Sequence, residues 1–122
     1  MQDLNRTTIT GRLAADPEQP SDSVTRLRVA VNGRAKSDDG EWRDAASFFD
    51  VTVFGAHGRA CAEHLSKGSP VAVDGRLEQN TWTTENGDRR ERVRIVASLV
   101  RFLESRTQTA GDGGDDRDDI PF

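Results

Sequence analysis

Two extended stretches, SPVAVDGRLEQNTWTT and RRERVRIVASLVRFL, meet at Glu85-Asn86-Gly87-Asp88. Asn-Gly between two such runs is the strongest short-range hairpin signal a sequence carries. A hairpin of that length reaches beyond a small barrel and cannot bury both of its faces. Read with Asn86-Gly87 as a two-residue loop, it pairs Thr84 with Arg89 and Trp82 with Glu91. Thr83–Arg90, Thr81–Arg92 and Gln79–Arg94 then share the opposite face as a stripe of arginines, with Arg89 a diagonal neighbour of Trp82.

The upstream chain reads in the same period. LNRTTITGRLAADP is a strand from Leu4 to about Leu13, stopped by Asp16-Pro17. SVTRLRVAVNG sends Leu27, Val29 and Val31 one way and Arg26 and Arg28 the other, a half-buried strand with a basic outer face. KSDDGEW is a turn-rich loop around Asp39-Gly40, with Trp42 in it. ASFFDVTVFG is the next strand, with Phe49, Val51 and Val53 on one face and Phe48, Thr52 and Phe54 on the other. Only one face of a small barrel is core, so one aromatic set is expected outside. GRACAEHL is a helix of about two turns, with Gly68 as its closing residue.

Strand–strand–strand–helix–strand–strand is the order of an OB-fold, a five-stranded, partly open barrel. The expected class is therefore all-β with one short helix, spanning 1–104. Residues 105–122 hold three glycines, five acids and no periodicity, and are expected to be a disordered acidic tail.

Charge sharpens the division. The net charge of −4 speaks against a nucleic-acid partner, but residues 1–104 hold fifteen Arg/Lys against sixteen Asp/Glu, and 105–122 hold two against five. The body is near neutral and the acid excess sits at the end. A single cysteine, Cys61, cannot form an internal disulfide, which suits a reducing compartment. MQDLNRTT has no basic n-region or apolar h-region, and no apolar run approaches the ~20 residues of a membrane span. A cytoplasmic protein is expected.

The chemistry points to binding. A tryptophan among arginines suits base stacking with phosphate pairing; the structural alternative is Trp82 anchoring the hairpin onto the barrel or another subunit. Trp42 either clamps bases or covers an apolar edge. His57, Cys61 and His64 share a helix face but lack a fourth ligand, and cysteine commonly behaves as a small buried hydrophobe, so no metal or other cofactor is expected. G-x-S-x-G, H-E-x-x-H and P-loop patterns are absent, and no catalysis is expected. Nucleic-acid binding is the expected function, with two alternatives open: an OB-fold adaptor acting mainly through proteins, and an enzyme accessory subunit or an enzyme whose site matches none of these motifs.

In order and spacing, NRTTITGRLAADPE, FFDVTVFG, HLSKGSPVAVDGRL and WTTENGDRRERV resemble the bacterial single-stranded DNA-binding proteins over about residues 4–104. DDIPF is similar to that family's acidic tip. The resemblance implies an OB-fold, usually homotetrameric, that coats single-stranded DNA without catalysis and recruits replication, recombination and repair proteins through the tip. It implies base stacking at Trp82 and Phe54, and at Phe48, which stands where many members have tryptophan. Arg28, Lys36 and Lys67 fall at or near positions expected to meet the DNA backbone. Arg34 replaces a tryptophan of many members, and Asp50 and Ala56 stand where some carry basic residues. Arg89, Arg90, Arg92 and Arg94 offset that loss. In the tip, Asp115, Asp116, Asp118 and Asp119 are expected to stay solvated. Ile120, Pro121 and Phe122 form an apolar plug bearing the terminal carboxylate, suited to a basic-rimmed apolar pocket.

Overall fold

A computed structural model describes residues 2–104. The tail expected over 105–122, including Asp115, Asp116, Asp118, Asp119, Ile120, Pro121 and Phe122, lies outside the described residues. The elements are β1 (Thr7–Leu13), β2 (Glu18–Ser21), β3 (Val24–Lys36), β4 (Trp42–Phe54), α1 (Gly55–His64), β5 (Pro70–Thr83) and β6 (Arg89–Phe102). The strand order is β1-β5-β6-β4-β3-β2, and β1 also pairs with β3 through Arg12↔Ala30 and Leu13↔Val29. That second pairing closes five strands into a barrel, with β2 laid on its outside edge along β3. This is the OB-fold.

The core follows from the alternation. Leu27 and Val29 of β3, Val51 and Val53 of β4, Val71 and Val73 of β5 and Ile95 of β6 all point inward and are buried, joined by Leu13 and Val100. The helix adds Cys61, and Leu65 follows it into the same cluster. Closure brings backbones together at the β5–β6 bulge: a Cβ on Gly75 would stand 2.2 Å from the Val96 carbonyl oxygen. Glycine is required there for space.

Outside the barrel the strands continue as two arms. β3 and β4 pair without interruption from Val24↔Phe54 to Lys36↔Trp42. Burial alternates only near the barrel, and residues 42–49 of β4 are all exposed. Thirteen residues span about 43 Å at 3.3 Å each, more than a small barrel can cover.

Both arms end in the same device. Ser37 N–H donates to the Glu41 carbonyl (2.8 Å) and Gly40 N–H to the Ser37 carbonyl (2.9 Å). Thr84 N–H donates to Asp88 (2.8 Å) and Gly87 N–H to Thr84 (2.9 Å) in the same pattern. Gly40 and Gly87 have φ of 86° and 89°, so each loop is three residues with a left-handed glycine third. A two-residue Asn86-Gly87 turn would need positive φ at both positions, and among the described residues no non-glycine has it.

The pairing expected across this hairpin is therefore corrected by one residue: Thr83 faces Arg89, Trp82 faces Arg90 and Thr81 faces Glu91. A slip of one exchanges faces. Trp82 now shares its face with Arg90, Arg92 and Arg94, while Arg89 lies on the other.

Three further expectations change. β2 is a strand that no alternation announced; its four residues are all exposed, and Pro20 is tolerated because it lies at an edge. Trp42 opens β4 opposite Lys36 instead of standing in a loop. Gly68 does not close the helix, which Leu65 caps in an extended conformation. With φ of 93° it belongs to the turn in which Ser69 N–H donates to the Ser66 carbonyl at 2.9 Å.

Candidate nucleic-acid interface

Directly opposed residues in a ladder share a face, so the registers define one continuous outer surface. On the first arm it carries Arg26↔Thr52, Arg28↔Asp50, Ala30↔Phe48, Arg34↔Asp44 and Lys36↔Trp42, with Phe54 at the root opposite Val24. On the second it carries Glu78↔Arg94, Asn80↔Arg92 and Trp82↔Arg90. A short parallel pairing, Val51↔Ile95 and Thr52↔Val96, sets the roots of the two arms side by side. All four aromatics nominated from sequence thus fall on one face. Trp42 is 58% exposed, Phe48 51%, Phe54 48% and Trp82 46%, so each lies with its body on the sheet and half its surface open.

Both aromatic sets of β4 reach the surface. Phe49 has the inward parity of Val51 and Val53, yet it is 39% exposed because it stands where the arm has left the barrel.

Between the roots runs a groove of about 330 Å³ whose lining includes Asp16, Arg26, Arg28, Asp50, Arg92 and Arg94. Arg28 Nη1 donates to Asp50 Oδ1 at 2.8 Å, and its guanidinium carbon lies 5.4 Å from the centre of the Phe48 ring. Arg94 is held from three sides: Nε and Nη2 donate to Glu78 Oε1 at 3.0 and 2.6 Å, and Nη1 to Thr52 Oγ1 at 3.4 Å. Arg90 Nη2 lies 3.9 Å from Asp88 Oδ2. Arg92 makes no ion pair among the described residues. Lys67 does not line the groove itself, but from the Ser66–Ser69 turn its backbone N–H donates at 2.8 Å to Oδ1 of Asp16, which does.

The lining residues that the sequence did not nominate include Arg26 and Asn80. Arg26 was legible in the alternation of β3, whereas Asn80 becomes visible only once the register is known.

The other chemical candidates are committed elsewhere. His57 Nε2 accepts the Val100 N–H at 2.9 Å, and its ring stacks on Phe102 with centroids 6.5 Å apart. Cys61 is buried, and burial pushes its thiol up to about 11. Among the described residues no group of three His, Cys, Asp or Glu side chains is placed to hold a metal ion. Among them, too, no helix is long and apolar enough to cross a membrane.

An open face carrying planar aromatics between guanidinium groups offers stacking surfaces and anion partners together. The model of the single-strand binding protein family matches residues 4–103. The single-stranded DNA-binding protein of Treponema pallidum is 38% identical over 109 residues, 86% of this chain, which spans only 61% of that relative's length. That of Aquifex aeolicus is 36% identical over 122 residues, covering 97% of this chain and 82% of its own. The Plasmodium falciparum SSB solved in complex with ssDNA shares the fold at 22% identity, with a TM-score of 0.71 over 85% of this chain and 98% of that one. With the family model matched from end to end of the described barrel and arms, this chain belongs to the single-strand binding protein family.

Proposed function

We propose that the protein binds and protects single-stranded DNA without sequence preference, laying it along the outer face of the two arms. The observation that carries this reading is the gathering of Trp42, Phe48, Phe54 and Trp82 with Arg28, Arg34, Lys36, Arg90 and Arg92 on one face. Every base offers a π-face to an aromatic and every nucleotide a phosphate to a guanidinium, so this pattern tolerates any sequence. Anisotropy titrations with labelled oligo-dT, a mixed-sequence strand and the matching duplex test it. Similar affinities for the two single strands and weak duplex binding are expected. Duplex binding as tight as the single strands, or no binding, would overturn it, the latter favouring the protein adaptor.

Two finer features belong to the same proposal. The face opposite the aromatic one exposes Phe49, Leu77 and Val93, which supports self-association, here proposed to be a homotetramer; a sedimentation mass of one or two chains would refute this. The terminal Ile120, Pro121 and Phe122 recruit replication, recombination and repair proteins. Removing those three uncharged side chains should abolish capture of such enzymes and leave DNA affinity nearly unchanged. Retained capture would make the tail mere solvated charge.

A further inference from the structure

Arg28 and Arg94 each meet a carboxylate on the outer face, in unlike settings. The side chain of Arg94 is 27% exposed and is tied to Glu78 and Thr52 by three hydrogen bonds, which lock it into the groove floor. That of Arg28 is 50% exposed and, among the described residues, makes a single hydrogen bond, to Asp50 Oδ1 on the neighbouring strand. A guanidinium has five N–H donors, so most of the Arg28 fork is open to a new acceptor. Exposed pairs of this kind are weak and exchange readily.

The position of the fork matters more than its strength. Asp50 holds it over the Phe48 ring, 5.4 Å from the centroid, so one side of that aromatic is covered by a cation. A base approaching that side meets the guanidinium first. A phosphate offers the fork the same kind of paired-oxygen acceptor that Asp50 does, with more charge to share.

We propose that Asp50 is a resident stand-in for a DNA phosphate: it parks Arg28 over Phe48 in the free protein and yields it to the incoming strand. Exposure of the Phe48 stacking surface and pairing of Arg28 with DNA are then one event. This rests on the single-stranded DNA reading of the face. Asp50 is a positioning residue and acts through Arg28. Once released, Asp50 takes up a cation, which cancels the counterion that the newly paired phosphate gave up, so Arg28 contributes little to the salt dependence of binding.

The test is oligo-dT binding across a salt series for the full-length protein, Asp50→Asn, Arg28→Gln and the double variant. Asp44→Asn serves as comparison, because it removes the same charge from the same face, where Asp44 opposes Arg34 without an ion pair among the described residues. Asp50→Asn should tighten binding about five-fold at low salt and steepen the log K against log salt slope by about 0.7, one phosphate's worth. On the Arg28→Gln background its effect should shrink to that of Asp44→Asn, which reports only the field of one lost carboxylate. Equal effects of Asp50→Asn and Asp44→Asn, or a gain that persists without Arg28, would overturn the proposal while leaving the DNA reading intact. Absence of binding by the unaltered protein would overturn both.

Discussion

The β3–β4 arm and the β5–β6 arm leave the barrel as paired ribbons, each closed by a three-residue loop with glycine third, yet they carry different cargo. The first holds Trp42, Phe48 and, at its root, Phe54, at six-residue intervals, about 20 Å apart along the strand. Its cations are answered on the same face by Asp44 and Asp50. The second holds a single aromatic, Trp82, directly across from Arg90, with Arg92 and Arg94 behind it. Stacking groups are concentrated on the first arm, and cations outnumber aromatics more steeply on the second, three to one against four to three. Stacking depends little on salt, and phosphate neutralisation depends on it steeply. The arms should therefore be separable by ionic strength.

Trp82→Ala should produce the largest loss, about 1–3 kcal/mol of single-strand affinity, because it removes the stacking group of the second arm. Phe48→Ala and Phe54→Ala should cost less, as smaller rings, and their losses should be the same at low and high salt. Titrations at two salt concentrations decide this, with circular dichroism confirming the barrel. A loss at Phe48 that vanished at high salt would break the division between the arms.

The next effect lies in slope. Replacing Arg90 and Arg92 together by glutamine should flatten log K against log salt by about 1.4, two phosphates at about 0.7 each. An unchanged slope would return both arginines to solvent.

The loops predict a symmetry. Gly40→Ala and Gly87→Ala each force a Cβ into the left-handed region with no neighbouring atom in the way, so each should cost about 1–2 kcal/mol of stability. Denaturant unfolding should give equal losses; a large difference would mean that the two loops are not the same device.

The smallest effect concerns the barrel that both arms share. Burial raises the Cys61 thiol from 9.0 to about 11, so the unfolded chain loses this proton first as pH climbs. That contribution is complete below pH 9.0 and fades as pH rises toward about 11. Comparing the Cys61→Ala variant with the unaltered protein over that window isolates it, since only the latter should show this loss.

How much of this was legible depended on burial. In the barrel, Leu27 and Val29 against Arg26 and Arg28 fixed both the strand and its outer face, because one face had to be apolar. The same parity placed Phe48 and Phe54 together. On the arms both faces are wet, so hydrophobic pattern no longer pins register, and one extra loop residue moved Trp82 across the sheet. Asn86-Gly87 signals a hairpin but serves a three-residue loop as well as a two-residue one. Trp42 was assigned to a loop for the same reason: Asp38-Asp39-Gly40 is a short turn from which pairing resumes at once. β2 has no alternation to read, since all four of its residues face solvent.

The central claim is that the outer face of both arms is where DNA lies, and the protein's two tryptophans, Trp42 and Trp82, stand one on each arm. Trp42→Phe and Trp82→Phe each leave a single emitter, reporting one arm at a time. Titration with oligo-dT should quench the fluorescence of both variants, and added salt should restore it as the strand dissociates. Undiminished emission from both variants, under conditions where anisotropy shows the DNA bound, would place the strand on another surface.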